Sequence, residues 1–198
     1  MSRYNGPRCR ITRRLGNLPG FTKKESKKKT LPGQHGLLPT QKKSSQYGIR
    51  LLEKQKLRFN YGVTETQLRN LAAQAKKEPG STGLNLLSFL EMRLDNLVFR
   101  LGFRPTIVSA RQLVTHGHVL VNGKKITVPN YRCKAQDVLS VSPKAHHLVE
   151  SINSVTIPTH LSRLDSTTGR INKIVDRQGV GLPDLDDLLV VEYYSNRI

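Results

Sequence analysis

From His116 to Val128 the sequence "HGHVLVNGKKITV" alternates, with Val119 and Val121, then Ile126 and Val128, falling between polar neighbours. A period of two predicts a pair of strands with one buried face. Asn122-Gly123 between them is the dipeptide that best tolerates the positive φ angles of a tight hairpin turn. Upstream the period changes. In "LNLLSFLEMRLDNLVFRLGF" the residues Leu86, Leu87, Leu90, Leu94, Leu97, Val98 and Leu101 recur at helical spacing, predicting a core-facing helix closed by Gly102. "PTIVSARQLVTHG" predicts a shorter helix capped by Thr106, with Ala110 and Leu113 inward, Arg111 and Gln112 on the exposed side, and Gly117 ending it. In "TETQLRNLAAQAKKEPG", Thr64 and Gln67 have capping-box spacing and Leu68, Leu71, Ala72 and Ala75 form an apolar stripe that stops before Pro79-Gly80. "YGIRLLEKQKLRFNYGV" is a further helix, with Ile49, Leu52 and Phe59 toward one face and Arg50, Lys54 and Arg58 in a stripe on another. "DVLSV" predicts a strand, and so do Leu189, Val191 and Tyr193, which alternate in "LPDLDDLLVVEYYSNRI". From Ser2 to about Gln46 there are too few large apolar residues to close a core, and the Gly, Pro, Lys, Arg, Ser and Thr content predicts an arm poorly ordered without a partner.

Charge changes the picture. The chain of 198 residues carries 33 Lys plus Arg against 14 Asp plus Glu, a formal net charge of +19. Such a surplus attracts polyanions, and nucleic acid is the expected partner. No apolar run reaches the roughly 18 residues of a membrane-spanning helix, so no membrane partner is expected. The opening residues carry charge where a secretory signal has its apolar core. Cys9 and Cys133 form no CxxC pair, which argues against a disulfide scaffold and a zinc module. The distribution is uneven, since Glu25 and Glu53 are the only acids before Glu65 whereas Asp184, Asp186, Asp187 and Glu192 gather near the end. On the Arg50 helix, few acids neutralise the stripe and Tyr47 and Tyr61 bound it, which reads as a phosphate track with stacking surfaces. Around the hairpin, Arg111, His116, His118, Asn122 and Lys124 fall on one compact unit. Read alone, that hairpin is equally compatible with a solvated, lysine-protected edge.

The run "RLDNLVFRLGFRPTIVSARQLVTHGHVLVNGKKI" resembles the RNA-binding module of the small-subunit ribosomal protein four (S-four) family. "RYNGPR", "PGQHG", "GSTGLNLL", "YRCKAQDVLSV" and "LLVVEYYS" extend the resemblance over most of the chain, in order. "RRLGNLPGFT", "LEMRLDNLVFRLG", "NYRCK" and "LLVVEYYSNR" are similar to plastid and cyanobacterial members in particular. The resemblance implies an α+β fold: a basic extended arm over residues 1–46, a helical lobe over 47–82 completed by 180–198, and an inserted module of helices and twisted antiparallel sheet over 83–179. It implies a structural, non-enzymatic constituent of the small ribosomal subunit that binds rRNA near its 5′ domain, nucleates assembly of the body and, with ribosomal protein five, contributes to accuracy. Other small-subunit proteins and messenger RNA near the entry channel are implied neighbours; no cofactor, metal or small-molecule substrate is. By position, RNA contacts are implied for Arg3, Tyr4, Arg8, Arg13 and Arg14, and for Gln34 and His35 of "PGQHG". The helical lobe adds Tyr47, Arg50, Lys54, Lys56 and Arg58, and the module adds Arg111, Gln112, His116, His118, Asn122 and Lys124. Asp184, Asp186, Asp187 and Glu192 are expected to meet a basic protein partner.

Departures matter too. Cys9 stands without the partners of a zinc cluster found in some relatives, and any grip on entering messenger would fall on Lys42 and Lys43. From about Lys144 to Gly179 the sequence diverges and no contact is assigned. The plastid is the expected location, with a cyanobacterial cytoplasm the alternative. The rival reading is an RNA-modifying enzyme, because Arg93-Leu94-Asp95 is similar to the motif of pseudouridine synthases. A catalytic aspartate must stand exposed in a pocket, whereas Asp95 falls within an apolar-striped segment and is expected to make a structural hydrogen bond or salt bridge.

Overall fold

The computed structural model describes residues 4–28, 30–34, 36, 45–149, 157–182 and 184–195. In chain order they form α1 (Arg8–Leu15), α2 (Gln46–Asn60), α3 (Glu65–Lys77), α4 (Thr82–Glu91), α5 (Leu94–Arg100), α6 (Ile107–Thr115), β1 (Val119–Val121), β2 (Lys124–Lys125), β3 (Val138–Val141), β4 (Leu161–Arg163), β5 (Thr168–Ile171) and α7 (Asp187–Ser195), with short 3-10 turns at Pro143–Leu148 and Arg177–Gly179. Local signals hold where they are complete. Thr64 and Gln67 close the capping box on α3, Thr106 Oγ1 accepts from the Ser109 N–H at the start of α6, and Asn122 (φ 49°) with Gly123 (φ 78°) makes the hairpin turn.

Two cores organise the chain. The first joins Leu57, Leu68, Ala72, Leu86, Leu90, Val190 and Tyr194 from α2, α3, α4 and α7. The second packs α5 and α6 against an antiparallel sheet in the order β2-β1-β3-β5-β4, through Leu97, Leu113, Val119, Leu139 and Ile171. These are the helical lobe and the helix-plus-sheet module of the expected α+β class.

Three expectations are corrected. The closing segment is a helix: its buried residues are Val190, Tyr193 and Tyr194, a helical spacing that the alternation of Leu189, Val191 and Tyr193 concealed. Asp186 Oδ1 accepts the Leu188 and Leu189 N–H groups at its start, and packing on α2 and α4 overrides the β propensity of Val-Val and Tyr-Tyr.

The apolar run expected as one helix is two. Between α4 and α5 the backbone at Met92–Leu94 pairs instead with residues 131–133, as Cys133 N–H donates to Met92 O and Leu94 N–H to Tyr131 O. The first part, α4, packs in the helical lobe and the second in the module.

The arm, finally, has structure of its own in its first part. Leu15, Leu18 and Phe21 are buried in the first core. Gly20 then threads between the lobes, its N–H on Asn60 Oδ1 at 3.0 Å and its carbonyl accepting the Ile107 N–H at 2.9 Å. A Cβ at Gly20 would lie 2.7 Å from the Asn60 carbonyl oxygen, so only glycine fits this crossing without displacement.

Candidate nucleic-acid interface

The basic stripe of α2 is not uniformly available to a ligand. Lys54 is 4% exposed, its Nζ 2.8 Å from Glu65 Oε2 and 4.8 Å above the Tyr193 ring. Partial burial pushes the Glu65 carboxyl up, but hydrogen bonds from Lys54 and the Tyr194 hydroxyl bring it net below the usual range. Arg50 pairs with Glu192 at 2.7 Å, and Lys56 with Glu53 at 2.6 Å. Arg58 makes a long contact to Gln55, at 3.5 Å, and lies over the Phe59 ring. Tyr47 is exposed beside Tyr193. Tyr61 is not a stacking surface: it is buried, and its hydroxyl donates to Glu91 Oε1 at 2.5 Å.

In the arm, Arg14 is exposed and borders a groove between α1 and α2 that Arg58 lines from the other side. Tyr4 stacks near Phe21 and Phe59, and Arg8 lies over Phe21. Arg13 donates to the Thr30 and Leu31 carbonyls, and so fixes the turn that carries Gln34. Arg3, His35, Lys42 and Lys43 lie outside the described residues.

On the module, Gln112, His116 and Lys124 are exposed and His118 half-buried, with the two imidazoles 6.1 Å apart edge to face. Asn122 supports the hairpin: its side chain donates to Asp137 Oδ1 and accepts the Val138 N–H, both at 2.9 Å. Arg111 departs from expectation, being 6% exposed and bound to Asp95 Oδ2 and to the Tyr61 and Gly62 carbonyls. The helical period marked it as outward because α6 was considered alone, whereas the end of α2 covers that side.

Sequence reasoning missed one cationic place. Arg13, Lys23, Lys24 and Lys28 line a cavity of about 740 Å³ whose far wall is Phe99 and Pro105 of the module. The signal was the run "KKESKKK", read there only as arm composition.

The acidic end keeps most of its charge within the fold. Glu192 holds Arg50, Asp187 stands 3.5 Å from Arg177, and Asp186 caps α7, which leaves Asp184 exposed. Asp95 has the structural role expected of it: fully buried, it receives Arg93 and Arg111 at 2.9 and 2.7 Å. No face of it is open to a base, as an attacking aspartate would require. Among the described residues, no helix is long and apolar enough to cross a membrane, and no group of three or more His, Cys, Asp or Glu is placed to hold a metal ion.

Comparison with known proteins agrees with the resemblance read from the sequence. Residues 3–91 match the family model "Ribosomal protein S4/S9 N-terminal domain" and residues 92–139 the model "S4 domain", meeting where α4 gives way to α5. The chain is 56% identical to small ribosomal subunit protein uS4c of Oltmannsiellopsis viridis, over 98% of this chain and all of that one. It is 51% identical to uS4c of Nephroselmis olivacea and 52% identical to uS4 of the cyanobacterium Thermosynechococcus vestitus, over the full length of both chains in each case. The uS4c relatives agree with the expected plastid location. With its two lobes matching in order and its relatives aligning end to end, the chain belongs to the ribosomal protein S4 family, whose members are structural, rRNA-binding proteins and not enzymes.

Proposed function

We propose that this chain binds small-subunit rRNA near its 5′ domain as a primary binder and nucleates assembly of the subunit body. The observation that carries the reading is the separation of cations into two sets. Lys54, Arg93, Arg100 and Arg111 are buried or half-buried against carboxylates, whereas Arg14, Lys23, Lys24, Lys28, Arg58 and Lys124 have none within ion-pair reach among the described residues. The unpaired set lines the α1–α2 groove, the arm–module cavity and the hairpin. Aromatic and polar groups stand beside it, namely Tyr4, Arg8 over Phe21, Tyr47, Gln112, His116 and His118, a mixture suited to folded RNA with unpaired bases rather than to duplex DNA. The reading also includes a contact of the C-terminal segment with ribosomal protein five, through exposed Asp184, and proximity to entering messenger.

The test is binding to a small-subunit rRNA 5′-domain fragment, with duplex DNA and an unrelated folded RNA of equal length as competitors, titrating salt. Preference for the fragment that survives moderate salt is expected. Lys124→Ala and Arg14→Ala should each reduce the salt slope of log K by about 0.7–0.9. Equal affinity for all three would leave a polyanion binder without rRNA specificity, and crosslinks from the Asp184 segment only to RNA would remove the protein-five contact.

A further inference from the structure

Arg111 belongs to the module, yet half of its hydrogen bonds leave it. Its Nη1 donates to the Gly62 carbonyl at 2.7 Å and its Nη2 to the Tyr61 carbonyl at 3.2 Å, so the guanidinium closes the C-terminus of α2 in the other lobe. On its other edge Nε and Nη2 hold Asp95 Oδ2 at 2.9 and 2.7 Å. Asp95 in turn takes Arg93 Nε at 3.0 Å on its second oxygen. Tyr61 is gripped from its ring side as well. Its hydroxyl reaches Glu91, which also takes Arg100 at 2.8 Å and the Gly181 N–H, at 2.9 Å, of the segment returning to the helical lobe. The Tyr61–Gly62 turn is therefore held by α6, by the end of α4 and by the returning chain together.

Apolar contact also joins the lobes: Ile107 of α6 is buried in the first core, and among the described residues Phe99 and Val175 are the partly buried ones packed against both cores. Arg132 of the module lies 3.6 Å from the ring centroid of Phe89 on α4. A buried ionic network of this kind is a weak source of stability compared with apolar residues of the same volume. What a planar guanidinium with donors on two edges supplies is a fixed direction between the groups it joins.

We infer that Arg111 is a positioning residue for RNA binding: it locks the Tyr61–Gly62 turn to α6 and so sets the angle at which the α1–α2 groove and the hairpin meet a single RNA. The inference rests on the proposal that both lobes contact the same rRNA. A locked pair binds without the cost of ordering one lobe against the other.

The experiment uses the full chain with Cys9→Ser and spin labels on exposed positions of each lobe, introduced by Gln74→Cys and Lys144→Cys. Cys133 is buried, its thiol pushed up to about 12 by that burial, and does not label. Electron–electron dipolar spectroscopy gives the interlobe distance distribution, and titration gives affinity for the 5′-domain fragment. Arg111→Lys keeps the charge but offers no planar fork. Its expected result is a broadened distribution, affinity lowered roughly tenfold, and an unchanged salt slope, because no phosphate contact is lost. An unchanged distribution overturns the inference. So does a slope reduced by about 0.7–0.9, which would make Arg111 a direct phosphate contact. If Arg111→Lys does not fold, Tyr61→Phe removes only the hydroxyl on Glu91, and the same broadening is expected of it. Absence of rRNA preference in the parent protein would defeat the functional proposal and the RNA-positioning role that rests on it, while the interlobe lock is still decided by the distance distribution, which is read without RNA.

Discussion

At the scale of the residue, the clearest unspent group is His160. It is buried where the module hands the chain back to the helical lobe, and among the described residues neither ring nitrogen has a hydrogen-bond partner. Burial holds its pKa below the usual value; Glu91 and Asp176 oppose that, while Arg100 and Lys173 reinforce it. The folded state therefore resists a proton that the unfolded chain accepts. Stability from this group is present above the unfolded pKa, about 6.5, and is lost as pH falls below it. Urea midpoints at pH 7.5, 6.0 and 5.0 should show a decline in the parent chain that is smaller in His160→Leu. Parallel declines in the two proteins would mean that another group carries the acid limb. Glu91, whose carboxyl Arg100 keeps below the usual range against burial, adds its own loss at lower pH and is common to both.

At the scale of the element, the junction of α4 and α5 shows what decides helix from break. Apolar spacing runs straight through Met92 and Arg93, yet the Met92 carbonyl and Leu94 N–H are taken by residues 131–133, and Asp95 turns back to hold Arg93. Asp95→Asn leaves two buried guanidiniums without a counter-charge. It should cost about 3–5 kcal/mol in chemical denaturation, the range for breaking a buried pair, and should uncover no RNA modification activity in either form. A loss under 1 kcal/mol would mean that the pair is not buried in solution.

The same junction explains which elements were legible in the sequence. The hairpin turn, the capping box of α3 and the Thr106 cap of α6 are set by neighbours within four residues, and were readable. The helix α7 and the packing of Leu15, Leu18 and Phe21 depend on surfaces supplied from elsewhere in the chain, and were not. For the site, the limit was what covers each helix face. Gln112, His116 and Lys124 face outward as read, whereas Lys54 lies under Tyr193 and Arg111 under the Tyr61–Gly62 turn, both from distant segments. The period of a helix states which residues share a face; only the partner helix determines whether that face is open.

At the scale of the whole molecule, the cations behind the formal charge of +19 fall into two populations that differ in how strongly salt acts on them. Buried pairs such as Asp95 with Arg111 and Glu91 with Arg100 sit away from water and are screened little. The exposed lysines and arginines of the arm, groove and hairpin repel one another in the free protein, and that repulsion is screened within a Debye length of about 10 Å at 0.1 M salt. Raising salt from low to moderate should therefore raise the melting temperature of the free protein. Over the same range it should weaken RNA binding, since each neutralised phosphate releases counterions. Melting by calorimetry and binding by titration across one salt series give two slopes of opposite sign if exposed cations dominate both processes. A melting temperature that falls with salt would instead show surface ion pairs such as Arg50 with Glu192 outweighing the repulsion. In that case neutralising the arm cations would no longer stabilise the free chain.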